Sequence, residues 1–371
     1  MKVYVLNTGG TLGMIGEPLR PAQSAEELLR GINIPLDVEL TLADFVSRQD
    51  STNIQHIERV AMAGEIRKSY DDHDAFVVLH GTDSLAETCG ALSMIFKLSL
   101  QKPVFVIGAQ MSKSEIGSDV AMQIGNTLRV AKAFHNHGVV GVYSVCIGDV
   151  LDGSRVRKRA ESDPNAFHTP GRHPVAHSWP HIRLEEGLQR KDRVLAVQGL
   201  RLDVNFERWV ATFKVSADTP PWVLMDMVTK RRLKGVILEA KGAGNIPDKN
   251  WRDDESGEEY SWIDAIKAAT EAGIHVGILS PFEDGRVILD RYELGKKAKD
   301  AGALSLESLT PDMADFKFRQ AIAMYPNDPA RIQEFISTNI VGELLPGIDE
   351  DVTMWFNPKP TARRRRSDNV E

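Results

Sequence analysis

Twice in the N-terminal quarter of the chain an apolar, β-branched run ends on Gly-Thr. Val3–Leu6 reads as a buried strand that passes through Asn7 and Thr8 into Gly9, Gly10 and Thr11. Ala75–Leu79 reads the same way and leads through His80 into Gly81, Thr82 and Asp83. After it, Cys89, Leu92, Ile95 and Phe96 fall at helical spacing. A parallel sheet sets such strand ends side by side at its carboxyl edge. The adjacent glycines 9 and 10 permit a tight turn and a close approach of backbone to a ligand. The turn fits neither the G-x-G-x-x-G nor the G-x-x-x-x-G-K-[ST] spacing and offers no lysine to neutralise a phosphate. What remains is hydroxyls and free backbone N–H groups, which suit a hydroxyl nucleophile better than a phosphate cradle.

Strand-like and helix-like segments alternate as far as residue 150. Leu36–Leu40, a run from Phe45 that ends at Asp50, Ser51 and Thr52, Val104–Ile107 and Val139–Ile147 read as strands. Helices are expected after an N-cap at Ser24, over Ile57–Ile66 and over Asn126–Phe134. This pattern predicts an α/β protein whose large N-terminal parallel-sheet domain occupies residues 1–190. Residues 191–220 are polar and irregular, with one strand-like run at Val194–Val197, and read as a linker. A second alternation predicts a smaller C-terminal α/β domain over 221–350, with helices over 221–230 and 262–272 and strands over 235–240 and 274–280. Two domains also suit a length of 371 residues. Lys249–Glu259 is strongly charged and reads as an exposed insertion.

The formal net charge is −7, although residues 361–371 carry four Arg against one Asp and one Glu. An acidic body argues against nucleic-acid binding by the main fold. The Arg363–Arg366 run within 351–371 reads as a solvated, disordered tail. Cys89 and Cys146 look like small core residues rather than a disulfide framework. Met1 and Lys2 lead directly into the first strand and no apolar run approaches the ~20 residues of a membrane span, so a cytoplasmic location and no membrane partner are expected. His168, His173, His177 and His181 are separated by Pro174 and Pro180, which break any helix that would align them on a metal.

Thr8–Met14 (TGGTLGM) and His80–Thr88 (HGTDSLAET), taken together, make the chain resemble the bacterial-type asparaginase/glutaminase family, most closely its cytoplasmic type I branch. Asp50-Ser51-Thr52 sits where the family's substrate-anchoring loop falls. The strand ending at Gly108, Ala109 and Gln110 looks like its next strand end. Arg155–Lys158, followed nine residues later by Phe167, is similar to its catalytic-lysine segment. Gly242–Pro247 looks like the C-domain loop, and Phe335–Leu345 resembles the closing helix and its GEL sequence. The resemblance implies hydrolysis of the side-chain amide of L-asparagine to L-aspartate and ammonia through a threonine acyl-enzyme, without metal or cofactor. It also implies a homodimer or homotetramer in which the small domain completes a neighbour's site.

Amide hydrolysis needs a nucleophile, a proton acceptor and donors for the developing oxyanion. The resemblance makes Thr11 the first nucleophile, with Thr82 as its rival. Thr82, Lys158 and Asp83 are expected to form one hydrogen-bonded group facing Thr11, with backbone N–H groups at Thr11 and Thr82 binding the oxyanion. Lys158 can accept a proton only if neutral, so its pKa has to fall from about 10.4 through burial near Arg155, Arg157 and Arg159. Asp83, which also suits a helix N-cap, would pair with the substrate ammonium. Ser51, with backbone at Asp50 and Ser51, would hold the α-carboxylate, Thr52 lying in the same loop. The Ala109 carbonyl would take the leaving amide, and Asn245, equally a turn residue, would come from the partner subunit. One departure stands out: the family's mobile loop carries a Tyr, and this chain has none between Tyr4 and Tyr70. Nor do Glu283 and Asp284 match the carboxylate that some members use beside it. A non-catalytic amino-acid-binding protein, a sensor or regulatory subunit, is the alternative.

Overall fold

The computed structural model describes residues 1–16, 20–21, 24–185, 188, 199–230, 232–254 and 256–347. Eight strands form the large sheet: β1 (Lys2–Gly9), β2 (Glu39–Gln49), β3 (Ala75–Leu79), β4 (Pro103–Ile107), β5 (Gly141–Cys146), β6 (Asp149–Asp152), β7 (Ala176–His177) and β8 (Arg183–Leu184). Their order across the sheet is β8-β7-β6-β5-β4-β3-β1-β2. The five strands β5-β4-β3-β1-β2 run parallel, and β6, β7 and β8 add an antiparallel edge. From β1 the chain moves outward to β2, then returns to place β3 on the other side of β1. The β1/β3 junction is therefore the topological switch point, where open α/β sheets leave a crevice at their carboxyl edge.

Both faces of this sheet are covered, which is why its strands read as continuous apolar runs. Along β1, Tyr4 and Leu6 enter one core with α2 (His56–Lys68) and α3 (Leu85–Phe96). Val3 and Val5 enter the other with α1 (Ala25–Leu29) and α4 (Val120–Asn136). Ser24 caps α1 by accepting the Glu27 N–H at 3.2 Å. The smaller domain has four parallel strands in sequential order, β9 (Val210–Lys214), β10 (Gly235–Glu239), β11 (His275–Leu279) and β12 (Leu304–Ser305). Packed with them are α5 (Trp222–Lys230), α6 (Trp262–Glu271), α7 (Glu293–Asp300), α8 (Pro311–Met324) and α9 (Pro329–Ser337). Among the described residues no helix is long and apolar enough to cross a membrane.

Three local readings change. Leu36–Leu40 and the run from Phe45 are not two strands: Leu36 is fully exposed and one eleven-residue strand spans Glu39–Gln49. As the sheet's edge it is half-solvated, so polar positions interrupt its apolar signal. The supposed linker 191–220 contains β9, whose alternate residues face solvent and hide it among polar neighbours. The helix over Ile57–Ile66 exists, but Ile57 is exposed and its buried face is Arg59, Met62, Ala63 and Ile66. Lys249–Glu259 holds a two-residue pairing of Trp251–Arg252 with Glu259–Tyr260. Val194–Val197 and residues 351–371 lie outside the described residues.

Candidate active site

Four loops converge where the parallel strands end. β1 and β3 are in register from Val3 opposite Ala75 to Asn7 opposite Leu79, so Gly9-Gly10-Thr11 emerges beside His80-Gly81-Thr82. The approach is backbone on backbone. A methyl on Gly10 would stand 2.2 Å from the Gly81 Cα, and one on Gly81 would stand 2.4 Å from Ser51 Oγ. Gly10 also has φ +72°, a left-handed conformation that side chains disfavour. From the other side, a methyl on Gly108 would stand 2.9 Å from the Thr82 methyl group. Glycine at 10, 81 and 108 is thus what allows the Thr11, Thr82, Ser51 and Ala109 loops to meet.

Lys158 comes from outside the sheet. It sits on a short hairpin in which Arg157–Lys158 pairs with Phe167–His168, Lys158 opposite Phe167. Its Nζ donates to Thr82 Oγ1 at 3.1 Å and to Asp83 Oδ1 at 2.8 Å. Thr52 Oγ1 donates to the other Asp83 oxygen at 3.3 Å. Ser84 Oγ donates to the Ser51 carbonyl at 2.5 Å, fixing the anchoring loop to the start of α3. Asp50 accepts the Thr52 N–H at 2.9 Å. Thr11 is half-buried at the start of a single 3-10 turn, Thr11–Gly13, and its hydroxyl carries no hydrogen bond to the described residues. Ala109 is buried, and Asp119 holds the loop after it by accepting the Gln110 and Met111 N–H groups.

The expected depression of Lys158 is not observed. Burial pulls its pKa down, but Asp83 and Glu161 outweigh burial and hold the ammonium above the ordinary lysine range. Glu161, at 2.6 Å from Nζ, is a partner that sequence reasoning missed. Its only signal was a carboxylate three residues after the lysine. The neighbouring arginines do not supply the opposing field. Arg155 donates to the carbonyls of Pro170, Ser308 and Glu343, and Arg159 donates to the Asn165 carbonyl. Arg157 instead sits in the field of Asp312. The hydrogen bond from Lys158 in turn keeps Asp83 below the usual carboxylate range.

The structure joins Thr82, Asp83, Lys158 and Thr52 by hydrogen bonds, and the contacts of Gly81 with Gly10 and Ser51 set the turns bearing Thr11 and Ser51 against the Thr82 turn. Asn245 is not among them in the single chain. It lies in the smaller domain's turn, bonded through its backbone to Lys241. Glu283 of the smaller domain approaches His168 Nε2 at 3.0 Å, on the strand that pairs with Lys158. His177 pairs with Asp149 at 2.9 Å, and among the described residues no group of three or more His, Cys, Asp or Glu side chains is arranged to hold a metal. Asp83 does not cap α3 with its side chain; its two oxygens face Lys158 and Thr52. His80 is fully buried but lies just past the end of β3, which stops at Leu79, so it is packed without being a strand residue.

Comparisons with known proteins bear on the family and the fold. A glutamyl-tRNA(Gln) amidotransferase subunit of Pyrococcus abyssi is 28% identical over 358 residues, spanning 93% of this chain and 77% of that protein. The thermostable L-asparaginase from Thermococcus kodakarensis superposes with a TM-score of 0.78 at 26% identity, over 94% of this chain and 100% of that one. L-asparaginase I from Vibrio cholerae shares the fold, with a TM-score of 0.79 at 24% identity over 93% of this chain and 99% of that one. Residues 2–189 match the family model described as asparaginase, N-terminal, and residues 209–336 match the glutaminase/asparaginase C-terminal domain. With both of its domains accounted for in this way, the chain belongs to the asparaginase/glutaminase family.

Proposed function

We propose that the protein hydrolyses the side-chain amide of L-asparagine to L-aspartate and ammonia through a threonine acyl-enzyme. The observation that carries this reading is Lys158 Nζ bridging Thr82 and Asp83, with the Thr11 turn packed against Gly81 and its hydroxyl without a partner among the described residues. Thr11 attacks the amide carbon, and the backbone N–H groups of Thr11 and Thr82 receive the oxyanion. Its proton passes by way of Thr82 to Lys158 in its neutral form and then to the nitrogen that leaves as ammonia; water next attacks the Thr11 ester, releasing aspartate and restoring the Thr11 hydroxyl. Asp83 takes the substrate ammonium, the Asp50–Thr52 loop takes the α-carboxylate, and the Ala109 carbonyl receives the amide N–H. A substrate lacking either charged end forgoes one of these two sets of contacts, which selects free amino acids. Asn245 completes the site from a second copy of the chain in a homodimer or homotetramer.

The similarity to an amidotransferase component favours a second reading, in which the released amide nitrogen is passed to an acceptor on a partner protein. The loss of the loop Tyr favours a third, an amino-acid-binding protein without turnover. Following ammonia from asparagine and from glutamine separates the three. Asparagine turnover that Thr11→Val abolishes supports the proposal, and wild-type turnover in that variant removes Thr11 as the nucleophile. Aspartate binding with no ammonia from either amide leaves the binding protein. Release that requires an added acceptor protein points to the amidotransferase role.

A further inference from the structure

We propose that Arg59, Thr88 and His80 form a proton-ordered chain that fixes the Gly81–Thr82 peptide and so aims the Thr82 N–H into the cleft. The inference rests on the amide-hydrolysis reading and assigns three buried side chains that the reaction scheme leaves unused. A guanidinium can only donate. Arg59 Nε donates to Thr88 Oγ1 at 3.2 Å, so the Thr88 hydrogen is free for His80 Nε2, 3.0 Å away. Nε2 therefore accepts, and the ring proton sits on Nδ1, which donates to the Gly81 carbonyl at 2.7 Å. The far end gives the same answer, because a carbonyl can only accept. Arg59 is 2% exposed and Thr88 and His80 not at all, so no water competes for these bonds. Burial pushes the His80 pKa down to about 4, which keeps the ring neutral at neutral pH.

Arg59 is itself held by Glu87 at 2.5 Å. On its other side NH1 donates to His56 Nδ1 at 3.1 Å, which leaves the His56 proton on Nε2 for Asp315 at 2.6 Å. One arginine thus sets two histidines in opposite tautomers. The Gly81 carbonyl and the Thr82 N–H belong to one planar peptide, so pinning the first orients the second. Hydrogen bonding at the carbonyl also strengthens the N–H as a donor. Gly81 has no side chain to hold that plane by packing, which gives His80 a task as a positioning residue.

Two measurements test the chain. Long-range ¹H–¹⁵N spectra of the whole protein are expected to show His80 protonated on Nδ1 and His56 on Nε2; His80 protonated on Nε2 overturns the proposal. In asparagine turnover, His80→Leu is expected to lose about tenfold or more in kcat with KM within about twofold, as for a weakened oxyanion donor. His80→Asn, whose amide N–H can stand where Nδ1–H stood, is expected to recover most of that loss. Wild-type kcat in His80→Leu, or an equal loss in both variants, overturns the proposal. Where His80→Leu does not fold, the wild-type spectra decide. A wild-type protein that releases no ammonia removes the hydrolysis reading, while the spectra still judge the chain.

Discussion

Lys158 carries the sharpest chemical consequence of any single residue. It rests as an ammonium between two carboxylates, so it must lose a proton before it can accept one from a threonine. The rate should therefore climb with pH as the neutral amine appears. Glu161→Gln removes one of the carboxylates that hold the proton on Lys158. The Lys158 pKa then falls, the neutral fraction at a given pH grows, and the rising limb of kcat/KM moves to lower pH. A pH–rate profile checks this, and an unmoved limb would show that Lys158 is not the group titrating. Thr82→Val should abolish turnover, because it cuts the Lys158 contact that Thr11 cannot replace; single-turnover ammonia release measures it. The hydrogen-bonded grouping of Thr82, Asp83 and Lys158 was legible in the sequence, Thr82 and Asp83 from the Gly-Thr strand end and Lys158 through the family resemblance of its segment. Glu161 and the direction of the Lys158 shift were not. They depend on which way the arginines at 155, 157 and 159 point, and sequence order does not fix that.

At the scale of elements, the site depends on glycine contacts rather than on long side chains. Gly10→Ala would drive a methyl into the Gly81 backbone from a left-handed conformation. The expected cost is about 2 kcal/mol or more, measured by chemical denaturation, together with loss of turnover. A variant of unchanged stability would mean that the two turns are not packed as described. The buried strands β1, β3, β4, β10 and β11 could be read from sequence because both of their faces are apolar. The edge strands were harder. β2 and β9 each have one flank in solvent, so their apolar periodicity is diluted, and β9 was absorbed into a linker. The Arg157–Lys158 pairing is two residues long, too short for any periodicity, and only the resemblance of the Arg155–Lys158 segment to the family drew attention to it.

The whole molecule is closed by its C-terminal segment. Lys317 on α8 is wholly buried and donates to the Ile336 carbonyl at 2.9 Å, the Thr338 carbonyl at 2.6 Å and Glu343 Oε1 at 2.6 Å. Glu343 in turn accepts the N–H groups of Ile340 and Val341. Removing one partner of such a pair strands the other charge, so Lys317→Met should cost about 3–5 kcal/mol, read as a lower denaturation midpoint. A change below about 1 kcal/mol would show that the pair is dispensable. Arg155 reaches the carbonyls of Ser308 and Glu343 from just upstream of the Lys158 hairpin, and Arg172 reaches the Leu344 carbonyl. On the ribosome, these arginines are translated well before the acceptors they need. The hairpin bearing the amine therefore completes its anchorage only when residues 308, 343 and 344 are free to fold back onto it, so in the nascent chain the amine is positioned later than its place in the sequence suggests.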